Sequence, residues 1–332
     1  MALGARNWLA RRTGVDTLLE RMRERQVPAA GVTHYMGAML VFLFLVEVAS
    51  GILLLLPYRP DPANAHASLV AIVGRLPYGA LIRGIHVWAN HFFVALLIAH
   101  LCVTLLLRRF REPNELIWWS GLLLLAVGLG MAFTGSILPW NQNAYLQARV
   151  SSEMIGQGPI FGPWLKHLLR GGEDVTPWTL NHAFGFHTGV LPAATTLVIA
   201  SHIAFVQRRP REEGVATIPA HPDFTARVAA VATLLLVVLV SLATFAPISV
   251  GAPADPREIS TGPARPPWYF LFLHELLRAA PPRLLGVDSA KFILGALSLL
   301  GLFVVALPLI DRKGSRITLF VGSFVILIAI LL

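Results

Sequence analysis

Charge is scarce in this chain. Asp, Glu, Lys and Arg supply 14% of its 332 residues while 55% are hydrophobic, a balance that excludes a soluble globular protein. Cysteine is nearly absent: Cys102 is alone, which rules out a disulfide within the chain and any Cys-x-x-Cys-His attachment motif. A hydrophobic start is missing too, because about 33 mostly polar residues precede the first apolar run; a cleavable signal peptide is therefore not expected. Acidic residues number 18 against 27 basic ones, a net charge of +9. The excess sits in short connections between apolar runs, so it reads as a membrane-topology signal and gives little weight to nucleic-acid binding.

What is there in quantity is length of apolar sequence. Seven spans are read, at about 34–57, 82–107, 116–138, 183–206, 226–248, 289–310 and 316–332, each long enough to cross a bilayer as a helix. The expected fold is an all-α polytopic membrane protein. Arginines mark one side: Arg6, Arg11, Arg12, Arg21, Arg23 and Arg25 before the first span, Arg108, Arg109 and Arg111 after the second, Arg208, Arg209 and Arg211 after the fourth, and Arg312, Lys313 and Arg316 after the sixth. By the positive-inside rule that side is cytoplasmic, with the N-terminus inside and the C-terminus outside. Residues 1–33 include an amphipathic stretch suited to the membrane surface. A charged, Pro-rich linker, 207–225, separates a four-helix part, 34–206, from a three-helix part, 226–332.

Histidines stand where a membrane helix ordinarily has none. His86 and His100 are 14 residues apart in the second span, and His187 and His202 are 15 apart in the fourth. At about 100° per residue each pair falls near one helical face, and at about 1.5 Å rise its members lie on the order of 21 Å apart. Both helices run from outside to inside, which pairs His86 with His187 near the outer side and His100 with His202 near the inner. A lone zinc or copper ion wants ligands within a turn or two, whereas a planar macrocycle gripped between two helices takes one imidazole from each. It also needs small residues beside it. Gly37 and Gly51 are 14 apart in the first span, as are Gly121 and Gly135 in the third.

Other features are less specific. Arg83, one turn before His86, can pair with a haem propionate or reach the interface. Glu47 is a carboxylate inside the first span with no counter-charge visible in the sequence, either functional or hydrogen-bonded to a neighbouring helix. His91, about 140° from His86, reads as a packed polar residue, and His167 and His182 belong in or beside a loop. Pro192 is expected to bend the fourth span between its histidines. Loop 141–180 carries amphipathic stretches and is long enough to cover a site. In 249–288 the stretch PPWYFLFLHELLR begins a short helix with His274 and Glu275 as proton-exchanging groups.

With these residues in view the chain resembles cytochrome b of the Rieske/cytochrome b (bc and bf) complexes, over almost its whole length. The resemblance implies that His86, His187, His100 and His202 are the axial ligands of two non-covalent b-type haems, with the four glycines against the haem planes. GSILPW, residues 135–140, is similar to the family's motif at the end of the third helix, and PPWY, Pro266–Pro267–Trp268–Tyr269, occupies the place of its PEWY at the quinol-oxidation site. The 15-residue histidine spacing and seven spans resemble the bf form, here with its four-helix cytochrome and three-helix subunit IV fused. Three positions depart from the pattern. Met36 stands where bf proteins tether an extra haem through cysteine, Pro267 replaces the PEWY glutamate, and Gln207 replaces an arginine near the inner quinone site beside Arg208.

The resemblance implies a membrane-bound catalytic subunit that oxidises quinol outside and reduces quinone inside, with a proton-exchanging role passing to Glu275 or Glu47. Its expected partners are a Rieske iron–sulfur protein, a cytochrome c-type subunit, quinone and a second copy, in a bacterial-type cytoplasmic membrane. Two rivals remain open: a non-bifurcating di-haem anchor of a dehydrogenase or hydrogenase, and a haem-free transporter with a histidine proton relay.

Overall fold

The computed structural model describes residues 12–13, 15–209, 214–257 and 266–311. The expected seventh span, 316–332, lies outside them, as do most residues before Val15. Within them, six segments are long and apolar enough to cross a membrane. An uncharged run in hydrocarbon must satisfy every backbone N–H and C=O within itself, and the helix does this residue by residue.

In chain order, a short helix α1 (Val15–Glu24) and strand β1 (Gln26–Pro28) precede α2 (Val32–Leu55). A short helix, α3 (Ala65–Arg75), leads to α4 (Gly79–Leu106) and α5 (Glu115–Ile137). The amphipathic stretches of loop 141–180 form α6 (Gln142–Gly156) and α7 (Gly162–Arg170). The fourth span is composite: α8 (Pro177–Gly185), a π turn (Phe186–Val190) and α9 (Leu191–Arg208). It thus starts before His182, which lies in helix. After strand β2 (Thr217–Pro219) come α10 (Thr225–Phe245), α11 (Trp268–Ala279), a two-residue hairpin and α12 (Ser289–Ile310).

Helix α2 packs on α4, and α5 on α9, which gives the four-helix bundle. Helix α10 packs on the far side of α4. They cross closely at Gly84, where a Cβ would stand 2.7 Å from the Ala243 Cβ; any larger residue would force the helices apart. Large apolar side chains such as Leu45, Ile52, Leu197, Leu234 and Leu302 point outward and are exposed. That distribution matches a surface solvated by lipid.

The linker is less free than its composition suggests. Its β2 pairs antiparallel with β1, Val27 opposite Ile218, and the membrane-length segment begins at Ala220, ahead of the expected 226. Two further fastenings join the halves. Pro308 inside α12 has no N–H to give the Val304 carbonyl one turn back, and the Trp118 indole Nε1 of α5 donates to that carbonyl at 2.9 Å instead. Beside it Trp119 donates to Val305 at 2.9 Å, and Arg111 pairs with the buried Asp311 at 3.1 Å. At the opposite end, segment 246–255 lies on the four-helix part: Trp88 donates to the Ala246 carbonyl, Asn141 Nδ2 to Val250, and the Gln142 backbone N–H to Ala252.

Candidate functional site

His86 projects from α4 and His187 from the π turn, and their rings stand 6.1 Å apart between centroids with planes at 85°. The π turn brings them into register. Its i→i+5 hydrogen bond, Leu191 N–H to the Phe186 carbonyl, lodges an extra residue in one turn just before Pro192. The 15-residue spacing to His202 therefore spans the rise of a 14-residue spacing in a regular helix. Pro192, expected to bend this span, stands in the first turn of α9, directly after the π turn.

Each ring is held through Nδ1. His86 Nδ1 lies 2.9 Å from Glu47 Oε2 and 2.9 Å from Ser50 Oγ, and the Ser50 hydroxyl proton goes to the Val46 carbonyl at 2.6 Å, so both partners accept. Glu47 is thus no isolated carboxylate: α2 and α4 bring it onto His86. His187 Nδ1 donates to the Met131 carbonyl at 3.0 Å, with Thr134 Oγ1 at 3.4 Å. In both rings Nε2 is the nitrogen left for a metal. At the other end of the bundle His202 Nδ1 donates to Ser120 Oγ at 2.8 Å, whose own proton goes to the Leu116 carbonyl. His100 Nδ1 is buried without a hydrogen-bond partner.

These pairs fit a haem and do not fit a free ion. Among the described residues no three His, Cys, Asp or Glu side chains converge as a metal-ion site, and pairs are what a haem's two axial positions require. Two metal–imidazole bonds of about 2.0 Å plus the ring radii come to about 6 Å between ring centres, the gap seen for His86 and His187. The glycines supply the room. A Cβ at Gly135 would stand 2.5 Å from His187 Cε1, one at Gly51 3.3 Å from His86 Cε1 and one at Gly121 3.5 Å from His202 Cε1, while Gly37 borders open space.

A cavity of about 370 Å³ opens beside the His86/His187 pair, and its wall includes Glu47, Arg83, Asn90, Pro266, Pro267 and Tyr269. Pro267 caps α11, whose first turn buries Tyr269. Asn90 Nδ2 donates to the Tyr269 hydroxyl at 3.3 Å, and burial pushes that phenol up to about 12, so it remains a neutral hydrogen-bonding group. Trp268 Nε1 donates to His91 Nδ1 at 3.1 Å, which makes His91 a brace for this loop. Arg83 is buried, and its guanidinium donates to the carbonyls of Ile248 at 2.6 Å and Ser249 at 3.2 Å. Glu275 is not on the cavity wall. It pairs with Arg278 at 2.6 Å and faces His274 at 3.4 Å, and the Arg278 hydrogen bond holds its carboxyl below the ordinary range. Arg208 ends α9, exposed, at the His100/His202 end. The Ser50, Ser120 and Met131 partners were not legible beforehand, since short polar residues and backbone carbonyls carry no distinctive pattern.

A pair of histidines facing one another across a glycine-lined gap, with a second pair near the opposite end of a membrane bundle, defines a haem-binding membrane cytochrome. The Cytochrome b/b6/petB family model matches residues 24–209, and Cytochrome b(C-terminal)/b6/petD matches 253–332. The chain belongs to this cytochrome b family, as a bf-type cytochrome b fused to a subunit IV. It is 30% identical to the cytochrome bc complex cytochrome b subunit of Chlorobaculum thiosulfatiphilum over 91% of this chain and 72% of that one. It is also 32% identical to cytochrome b6 of Heliobacterium mobile over 60% of this chain and 96% of that one. A chain of a hyperthermophilic respiratory Complex III shares the fold, with a TM-score of 0.82 and 24% identity over 98% of this chain and 90% of that one. The protein is accordingly a b-haem-binding subunit of a membrane oxidoreductase complex of the cytochrome bc type.

Proposed function

We propose that the chain oxidises a membrane quinol in the cavity beside His86 and His187 and delivers electrons to quinone beside His100 and His202. The observation that carries this reading is the opening of one cavity onto both the facing His86/His187 rings and the Pro266–Pro267–Tyr269 wall. Two b-type haems would be held by His86 with His187 and by His100 with His202, and when bound they supply one-electron carriers. The chain's own residues do the rest. Tyr269 and Asn90 offer hydrogen-bonding groups to the quinol ring oxygens, and Pro266 and Pro267 give a stiff apolar wall.

Quinol loses two electrons and two protons on becoming quinone. As in the family this chain resembles, one electron would leave to a Rieske iron–sulfur protein and on to a cytochrome c-type subunit, the haems held by His86 with His187 and by His100 with His202 would supply carriers for the other, and both protons would be released to the outer side. At about 1.5 Å per residue the 14-residue step from His86 to His100 spans about 21 Å. The arginine pattern supports a cytoplasmic membrane with the His86/His187 end outside, Arg208 near the inner quinone site, and the complex is proposed to be a homodimer. The test is quinol-driven haem reduction in membranes holding the intact complex, followed optically. Wild-type complex is expected to reduce both haems, and His187→Ala to stop reduction from the cavity side. Unchanged kinetics in His187→Ala would overturn the reading.

A further inference from the structure

The two histidine pairs are built differently, and the difference has a direction. At one end Glu47 places a carboxylate oxygen 2.9 Å from His86 Nδ1. Its second oxygen, Oε1, is buried without a hydrogen-bond partner, so the His86 contact is what this carboxyl group is engaged in. Arg83 shares the cavity wall, but its guanidinium donates to the Ile248 and Ser249 carbonyls. At the other end, among the described residues, no carboxylate is paired with either ring: His202 has the Ser120 hydroxyl and His100 Nδ1 has no partner.

A carboxylate accepting the Nδ1 proton of a metal-bound imidazole makes the ring a stronger donor through Nε2. Stronger donation and a nearby negative charge in a medium of low dielectric both favour the ferric over the ferrous state. We infer that Glu47 is a positioning residue for His86 that lowers the potential of the haem held by His86 and His187. The inference rests on the haem assignment proposed above.

The test is a spectroelectrochemical titration of the purified complex, wild type against Glu47→Gln. Glutamine keeps the size and an acceptor oxygen but removes the charge. One of the two haem components is expected to become at least tenfold easier to reduce, which is about 59 mV for a one-electron couple, while the other stays in place. Glu47→Asp should fall between. Two components that both stay, or move equally, would overturn the inference while leaving the haem assignment intact; loss of all haem in the unsubstituted protein would instead overturn that assignment. A second measurement covers failure of Glu47→Gln to assemble. The ferric near-infrared charge-transfer band of the wild-type complex must then show one haem with imidazolate-like ligation, and two equivalent neutral bis-imidazole bands would overturn the proposal.

Discussion

Replacing each of the four glycines by alanine probes the haem gaps with one methyl group at a time. Within a helix the exchange should itself be stabilising by up to about 1 kcal/mol, so any loss reports a collision. At Gly135 the new Cβ would stand 2.5 Å from His187 Cε1 and 3.0 Å from Nδ1, against an ordinary carbon contact of about 3.5–4.0 Å. The ring must therefore retreat by roughly 1 Å, yet it is tied to the Met131 carbonyl of the same helix. Overpacking of this kind costs about 1–3 kcal/mol, or roughly 5- to 150-fold in haem retention at about 1.4 kcal/mol per tenfold. At Gly51 the contact is 3.3 Å and a shift of a few tenths of an ångström suffices, and at Gly121 it is an ordinary 3.5 Å. Haem per chain should fall most in Gly135→Ala, less in Gly51→Ala and least in Gly121→Ala, measured as the pyridine haemochrome. Gly37 meets no protein atom within 4 Å, so any loss in Gly37→Ala measures contact with the macrocycle itself. Full haem occupancy in Gly135→Ala together with loss in Gly121→Ala would refute the reasoning.

Three further outcomes are expected. Trp118→Phe leaves the Val304 carbonyl without its donor and should lower stability by about 1–3 kcal/mol; in a Pro308→Ala background, where the backbone N–H returns, the same change should cost less, as a double-mutant cycle of thermal unfolding in detergent would show. Arg83→Ala should release segment 246–255 from α4, at a cost of about 1.5–3 kcal/mol for hydrogen bonds from a charged donor, visible as faster proteolysis of that segment. Hydrogen bonds from Lys166, and then from Arg170, hold the Glu153 carboxyl below its ordinary value of 4.5. A depressed carboxylate stabilises above its unfolded pKa and loses that contribution as pH falls through its folded value. The α6–α7 contact should therefore be fully formed above about pH 5 and weaken in acid, and melting profiles of Glu153→Gln should lack that acid limb.

The periodicities carried much of this structure. Six of the seven expected spans are helices, because twenty-odd mostly apolar residues have no alternative in a bilayer, and the seventh lies outside the described residues. The histidine and glycine spacings led to the facing rings, since a face on a regular helix is set by arithmetic. Where backbone departed from regularity the arithmetic was incomplete: the π turn at Phe186–Val190 follows from how Pro192 packs, which a count of residues does not contain. Contacts between distant segments were likewise invisible. Glu47 read as a lone charge because its partner is on another helix, and nothing in GAPAD, residues 251–255, announces a segment fastened to Trp140 and Gln142 at the start of α6. The region read as a linker holds a strand because its partner strand lies far upstream, before the first span.

Whether four histidines hold two non-covalent b-type haems can be read from the dithionite-reduced minus oxidised visible spectrum of the purified protein, quantified as the pyridine haemochrome. Two b haems per chain are expected, one lost in His86→Ala and the other in His202→Ala. A protein that binds no haem, or that keeps both haems in these variants, would contradict it.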